Sequence, residues 1–141
     1  MPDASVLLKW TLSSADETHQ DLAIALKEAW LSGACHLIVP SLWIYEVGNI
    51  LGMKRPAEAT TLLRAMVDLD MSEANPALYA REIFRLMKDF KVTFYDAAYH
   101  ALAIHRGGLM VTADEAYVRK TIRAGHVVLL SHWQPHRMEQ V

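Results

Sequence analysis

The sequence predicts an α/β domain in which a mainly parallel sheet lies between two layers of helices. Short apolar runs alternate with helical patterns along the whole chain, which is typical of parallel strands joined by crossover helices. The length of 141 residues suits a single domain over residues 1–141. Apolar residues make up 52% of the chain and charged residues 21%, so a packed core is expected and disorder is excluded.

The first part of the chain predicts a strand between two helices. A helical pattern over 16–33 places apolar residues on one face and ends at a glycine. An apolar run at 36–39 is closed by a proline, as a short strand would be. Ser41 can cap a second helix over 41–53, and this helix is expected to be buried because it is apolar nearly all round.

The middle of the chain predicts three further helices and one strand. A proline suits the first turn of a helix over 56–66, and the segment 67–72 can supply a short strand after it. An Asn-Pro pair starts a helix over 75–90. Thr93 begins another helix, which runs to 106 and is rich in alanine and tyrosine.

The last part of the chain alternates strand, helix and strand. Two glycines break the preceding helix, after which the pattern predicts a strand at 109–112, a helix at 113–124 and a strand at 126–130. At the other end only two residues precede Asp3, so the first strand is either stunted or truncated. Ligands of such folds bind at the carboxyl ends of the strands, and the functional site is expected there.

The composition excludes several classes of protein. Fourteen Lys and Arg stand against 16 Asp and Glu, for a formal net charge of −2, so a simple basic nucleic-acid binder is not indicated. The single cysteine, Cys35, excludes an internal disulfide framework and fits a reducing cytoplasm. No uncharged run reaches the length of a membrane span, and the start lacks a signal-peptide pattern. A cytoplasmic location without membrane contact is expected.

Four carboxylates sit in apolar surroundings, unlike the other acidic residues of the chain: Asp3, Glu46, Asp96 and Asp114. Three of them have an ordinary alternative role, with Asp3 as a helix cap, Asp96 in a capping box and Asp114 in a first helical turn. Glu46 has none, because it falls inside the helix that is apolar nearly all round. An unpaired charge there would cost several kcal/mol, so Glu46 needs a neutralising partner.

The predicted topology brings these four acids to one edge of the sheet. Carboxylates packed together repel one another unless a cation lies between them. Oxygen donors without a Cys or His pattern favour Mg²⁺ or Mn²⁺, and such an ion suits the hydrolysis of phosphodiesters.

Four neighbouring polar residues are candidates for supporting roles. Asn49, three residues after Glu46 on the same helix face, can orient a ligand or serve as a structural amide. Ser5 and Thr112 can support the acids or act as local caps, and Lys9 is a candidate contact for RNA phosphate.

Four segments hold the acids in order along nearly the whole chain: Asp3-Ala-Ser-Val-Leu-Leu-Lys-Trp10, Pro40-Ser-Leu-Trp-Ile-Tyr-Glu46-Val-Gly-Asn49, Tyr95-Asp96-Ala-Ala-Tyr99 with Ala101-Leu-Ala103, and Val111-Thr-Ala-Asp114. Together they resemble the PIN-domain ribonucleases and, within that family, the VapC toxins of bacterial and archaeal type II toxin–antitoxin modules. Each segment alone is a weak signal, whereas four in the same order are specific.

The resemblance implies a fold, an activity and partners. It implies a five-stranded parallel sheet flanked by helices, and an acidic quartet that binds one or two divalent ions with Ser5 and Thr112 in support. It also implies an endoribonuclease that acts on structured RNA and forms a homodimer. Inhibition by a VapB-like antitoxin inserted into the active-site groove is implied as well.

Two alternatives belong to other functional classes. A phosphoacceptor signalling domain of the receiver type also places carboxylates around Mg²⁺, but it expects an adjacent acidic pair after the first strand and a lysine after the last. Here Ala4 follows Asp3, and Ser131 follows the final strand. A catalytically idle PIN-like RNA-binding module is the other alternative, which the intact quartet disfavours.

Overall fold

The computed structural model describes residues 1–12 and 17–135. The described helices are α1 (Ala4–Leu8), α2 (Gln20–Leu31), α3 (Trp43–Lys54), α4 (Ala59–Asp68), α5 (Ala80–Phe90), α6 (Phe94–Arg106) and α7 (Glu115–Thr121). The described strands are β1 (Ile38–Pro40), β2 (Ser72–Ala74), β3 (Met110–Thr112) and β4 (Val127–Leu129). This alternation confirms the predicted α/β class. None of the described helices has both the length and the apolar character needed to span a bilayer.

The strands form two parallel pairs. In one pair β1 runs beside β2, with Ile38 opposite Ser72. In the other pair β3 runs beside β4, with Met110 opposite Val127. The expected parallel arrangement is therefore present, but the described residues do not join the pairs into the single five-stranded sheet that the resemblance implied.

The amino-terminal residues add a single bridge beside β3. The backbone N–H of Asp3 donates to the carbonyl of Val111 at 3.0 Å, and Pro2 forms one isolated parallel bridge with Val111. Asp3 then already caps α1, so the chain turns into a helix after a single bridge. A cavity of about 700 Å³, lined by residues of both strand pairs such as Ile38 and Val111, lies on this side of the molecule.

Several predicted boundaries shift in the structure. The strand expected at 67–72 is wrong, because α4 continues to Asp68 and β2 begins only at Ser72. Asp70 between them adopts a left-handed backbone with φ of 54°, which ends the helical path before the strand pairs with β1. The helix predicted from residue 16 begins at Gln20, and Asp16 itself lies outside the described residues.

Helix α6 forms the centre of the core. Seven consecutive residues from Ala97 to Ala103 are buried, and four of the seven are alanines. Small side chains let neighbouring elements approach this helix closely. His100 within this run is satisfied on both ring nitrogens, by the Tyr117 hydroxyl at 2.9 Å and the Gly125 carbonyl at 2.7 Å.

Helix α3 is less buried than its apolar sequence predicts. Trp43, Val47 and Leu51 face the core, whereas Tyr45 and Met53 are 75% and 74% exposed. The expectation of a helix buried all round is therefore wrong. One face packs against the core, and the rest of the helix borders a cavity and solvent.

Candidate active site

All four predicted carboxylates line one cavity of about 580 Å³. Asp3 follows the amino-terminal bridge, and Asp114 comes two residues after β3. Asp96 lies in the first turn of α6 and Glu46 in the first turn of α3. Ser5 and Asn49 also line the cavity. The four acids singled out in the sequence thus meet in three dimensions, with Asp3 and Asp114 after the parallel elements Pro2 and β3 and the other two in first helical turns.

Asp3 is the most firmly held of the four acids. Its side chain is buried, 6% exposed. One carboxylate oxygen accepts hydrogen bonds from the Ser5 hydroxyl and, at 3.3 Å, from the Val6 backbone N–H. The other oxygen accepts from the Thr112 hydroxyl at 2.6 Å. Asp3 therefore caps α1, as the alternative interpretation expected, and faces the cavity at the same time.

The two hydroxyls that hold Asp3 are themselves fixed by the backbone. Ser5 Oγ accepts from the N–H of Ala113 at 3.0 Å, and Thr112 Oγ1 accepts from the N–H of Asp114 at 3.1 Å. Because each oxygen accepts from a backbone donor, its own proton is directed at Asp3. These bonds tie the start of α1 to the turn that precedes α7.

Asp96 and Asp114 also have local roles beside the cavity. The Thr93 hydroxyl accepts from the backbone N–H of Asp96 at 3.2 Å and caps α6. Asp114 Oδ1 accepts from the N–H of Tyr117 at 3.0 Å and caps α7. Both acids therefore sit at helix N-termini, whose partial positive charge favours carboxylates. Of the expected capping box, the structure shows the bond from the Asp96 N–H to Thr93. Asp114 is the N-cap of α7 rather than a residue of its first turn, and both acids also line the cavity.

Glu46 differs from Asp3 because its buried oxygen lacks a partner. Among the described residues, Glu46 Oε1 and the Tyr99 hydroxyl are both buried without a hydrogen bond of standard geometry. The two groups nevertheless lie close enough for the hydroxyl to lower the pKa of Glu46. A buried polar atom left unsatisfied costs free energy unless water or a ligand completes it.

The acids raise one another's pKa values. Burial raises the pKa of Asp3 to about 6, and the charge of Asp96 adds to this against three opposing hydrogen bonds. Burial raises the pKa of Glu46 to about 7, with further contributions from Asp96 and Asp3. Burial and the charge of Asp114 raise the pKa of Asp96. The cavity therefore concentrates negative charge that a cation would relieve.

The donor set fits a hard divalent cation by its chemistry. No group of three or more His, Cys, Asp or Glu side chains within residues 1–12 and 17–135 is already arranged to hold a metal ion. The cavity nevertheless presents four carboxylates together with hydroxyl and amide groups, and no His or Cys is among its described lining residues. The buried Glu46 Oε1 is an atom that such an ion would satisfy. Oxygen-only sites are those that Mg²⁺ and Mn²⁺ prefer.

Lys9 does not take the position expected of a phosphate contact. Its side chain is buried, and Nζ forms an ion pair with Glu17 Oε2 at 2.7 Å. A buried, paired ammonium is not available to a nucleic-acid backbone, so the assignment of Lys9 to substrate binding is withdrawn. The hydroxyls of Ser5 and Thr112, by contrast, make the contacts expected of supporting residues.

Three tyrosines on the cavity wall were not assigned to the site in the sequence. Tyr45 and Tyr95 each directly precede one of the acids, and Tyr99 lies near Glu46. Each belongs to a segment that carried the family resemblance. The signal that could have found them is the helical spacing, since Tyr95 and Tyr99 lie one turn apart on the helix that carries Asp96.

A comparison with known protein families found a match over most of the chain. The family described as PIN domain matches residues 1–122, a span that contains all four carboxylates. No match to the chain was found among curated proteins.

Proposed function

Because the chain belongs to the PIN domain family, we propose that it is an endoribonuclease that uses Mg²⁺ or Mn²⁺ to hydrolyse phosphodiester bonds of RNA. The observation that carries this proposal is the convergence of four carboxylates on one cavity, with a buried Glu46 oxygen that the protein leaves unsatisfied. Family membership supports nuclease chemistry in general, and the donor set favours a hard divalent ion.

Asp3, Glu46, Asp96 and Asp114 would hold the cation. When bound, such an ion supplies a Lewis acid that activates water for attack on phosphorus and stabilises the leaving oxygen. Ser5 and Thr112 keep both oxygens of Asp3 oriented, since their protons point at its carboxylate. Asn49, which lines the cavity, would donate from its amide to a phosphate oxygen.

A toxin role with a protein inhibitor extends this proposal. The four-segment resemblance to VapC toxins supports it, as does the exposure of Tyr45 and Met53 on α3, beside the cavity. A VapB-like antitoxin would cover this face and block access to the acids in the cytoplasm. Expression of the chain should arrest growth of a bacterial host, and co-expression of a small DNA-binding protein encoded beside it should restore growth. Arrest by an Asp96→Asn variant would contradict this role.

A homodimer is the oligomeric state that we propose. Large apolar side chains stay exposed on several helices, among them Leu78 at 75% and Phe84 at 59%, and contiguous exposed apolar surface is typical of interfaces. Light scattering should give about twice the chain's 15.9 kDa. A monomer at micromolar concentration would overturn the proposal of a dimer.

The alternative of a catalytically idle PIN-like module that only binds RNA has one observation in its favour. Within the described residues, the acids are not already arranged to hold a metal ion, as would also be true of such a module. The phosphoacceptor alternative has lost its support, because the chain belongs to the PIN family.

The experiment that separates these functions is cleavage of total bacterial RNA by the protein freed of any inhibitor. Reactions contain Mg²⁺, Mn²⁺ or a chelator, and they compare the parent with Asp96→Asn. Asp89→Asn is the matched control, because it changes an exposed acid on α5 that does not line the cavity. We expect discrete cuts that need metal, survive in Asp89→Asn and vanish in Asp96→Asn. Cuts by Asp96→Asn equal to those of the parent would contradict the proposal.

A further inference from the structure

Three basic side chains gather outside the acidic cavity, where the end of α5 meets the end of α7. They are Lys91, Lys120 and Arg123, all of them exposed, and they are called the basic cluster below. We propose that the basic cluster binds phosphates of the RNA backbone that lie outside the cavity, a few nucleotides from the bond that is cut. This inference rests on the proposed nuclease function and adds a second contact region for its substrate.

Contacts between the two helix ends hold the basic cluster together. Lys120 Nζ donates to the backbone carbonyl of Lys91 at 3.0 Å. The guanidinium of Arg123, in the short turn of helix after α7, lies 5.9 Å from the centroid of the Phe90 ring, which is a cation–π contact. Lys91 ends α5 with a left-handed backbone, at φ of 56°. The last residues of α5 therefore position both cations that follow the start of α7.

The charges of the basic cluster are not compensated by carboxylates. Lys120 and Arg123 are held by a carbonyl and a ring, which are neutral groups. No ion pair joins the basic cluster to an acid within the part of the chain that the structure describes. Like charges held side by side repel one another, and an anion between them removes that cost. The basic cluster is thus prepared to bind an anion.

The basic cluster lies close to two acids of the proposed metal site. Asp114 caps α7, and Lys120 comes six residues later, about 9 Å along the helix. On the other side, Lys91 stands two residues before Thr93, which caps the helix that carries Asp96. Phosphates of a stacked strand follow one another at about 3.4 Å along its axis. A strand with one phosphate in the cavity can therefore reach the basic cluster with the phosphates that follow.

A polyanion needs such a region in order to approach this molecule. The chain has a net charge of −2, and four carboxylates line the cavity. A bound cation would offset charge inside the cavity only, and Lys9 is buried and paired with Glu17. Affinity for nucleic acid comes largely from phosphates that Lys and Arg neutralise. An acidic protein segment would match the charge as well, but the position beside the acids favours phosphates continuous with the one that reacts.

The test measures how salt weakens the binding of a fluorescent oligoribonucleotide of mixed sequence. Every protein carries Asp96→Asn, Mg²⁺ is present, and a gel checks that the RNA stays intact. The cluster variant combines Lys91→Gln, Lys120→Gln and Arg123→Gln. The control variant removes the same charge from exposed cations on α3, α4 and α5 that do not line the cavity, by Lys54→Gln, Arg64→Gln and Arg81→Gln.

We expect the cluster variant to bind at least about tenfold more weakly than the Asp96→Asn parent at about 100 mM salt, and the control variant to keep the parental affinity. The plot of log affinity against log salt should become shallower by about 2, because each phosphate contact of a single strand contributes about 0.7. Lys91→Gln alone leaves the contacts of Lys120 and Arg123 in place, so it should fold and change the slope by about 0.7.

Three results would overturn the proposal. Equal affinity and slope in the parent and the cluster variant would exclude the backbone contact. An equal loss in the control variant would mean that net charge alone governs binding. Polyglutamate that binds the parent but not the cluster variant, with RNA binding unchanged, would assign the basic cluster to an acidic protein partner.

Cleavage in Mg²⁺ by the same variants with Asp96 restored separates this inference from the proposed function. Binding that depends on the basic cluster, without any cleavage by the parent, would overturn the nuclease and retain the backbone contact. Cleavage with the parental KM in the cluster variant would overturn the backbone contact and retain the nuclease. A rise in KM of at least about tenfold, larger than the change in kcat and absent from the control variant, supports both.

Discussion

The two sides of the acidic cavity are built in opposite ways. On the side formed by α1 and β3, Asp3 accepts three hydrogen bonds, two of them from hydroxyls that are themselves fixed by backbone N–H groups. On the side formed by α3 and α6, the buried Oε1 of Glu46 has no partner of standard geometry among the described residues. The protein completes Asp3, whereas Glu46 has only the Tyr99 hydroxyl nearby and no hydrogen bond of standard geometry at its buried oxygen.

This difference shows how a site rich in carboxylates can be stable before a cation binds. The bonds of Asp3 offset part of the cost of its burial, whereas Glu46 bears that cost, with its pKa raised to about 7 by burial. A cation at Glu46 would remove the cost. The following predictions test the contrast between the two acids, beginning with the largest expected effect.

Glu46→Gln should abolish cleavage while leaving the fold intact. The amide keeps the shape of the side chain but removes the charge, so a metal ligand is lost and no buried charge remains without a partner. Substitutions of residues that only support the metal ligands cost about 10- to 100-fold in activity. The loss of cleavage rate in Glu46→Gln should be larger than this. The rate should be measured on an RNA that the parent cuts. Glu28→Gln, an exposed acid on α2, is the control, and parental activity in Glu46→Gln would contradict the account.

Thr112→Val should disrupt the hydrogen bonds that hold Asp3 on its side of the cavity. Valine keeps the shape but removes the proton donated to Asp3 and the oxygen that accepts from Asp114. We expect the free energy of unfolding in urea to fall by about 1–3 kcal/mol, and cleavage to fall by about 10- to 100-fold because Asp3 is misoriented.

The control for this substitution is Thr121→Val. Thr121 is also buried, and its hydroxyl donates to the Tyr117 carbonyl at 2.7 Å. It should lose similar stability and keep the cleavage rate of the folded protein. If the two valine variants lose cleavage equally, Thr112 has no special role at Asp3.

The free energy of unfolding should depend on pH differently in the parent and in Glu46→Gln. A pKa raised from 4.5 to about 7 by burial means that the folded protein binds the proton more tightly than the unfolded chain. The stability that this proton contributes is complete below about pH 4.5 and is lost as the pH rises through about 7. Without metal, the parent should therefore lose stability relative to Glu46→Gln over this range. A difference that stays constant from pH 4.5 to 7.5 would contradict the raised pKa.

The sequence predicted the edge at which the acids meet better than it predicted their surroundings. The carboxyl ends of parallel elements coincide whatever the details of packing. Asp3 and Asp114 could therefore be placed together, since Asp114 follows an apolar run and Asp3 follows the short first strand that was expected. The capping roles were considered as alternatives to a site, yet Asp114 both caps α7 and lines the cavity. A carboxylate has two oxygens, and one suffices for a cap.

Features that depend on tertiary contacts were not predictable. The position of β2 follows from its pairing with β1 rather than from its own residues Ser72–Ala74, which are not apolar as a run. Lys9 is buried and paired with Glu17, which lies eight residues further along the sequence. Local propensity contains no information on such contacts.

The central claim is that the carboxylate cavity binds a divalent cation through the acid that the protein leaves incomplete. Calorimetric titration of Mn²⁺ into the parent, Glu46→Gln and Glu28→Gln at pH 7.5 tests it most directly. The account predicts binding to the parent and Glu28→Gln with equal affinity, and an affinity at least about tenfold lower for Glu46→Gln. Absence of Mn²⁺ binding by the parent, or equal affinity in all three proteins, would contradict it.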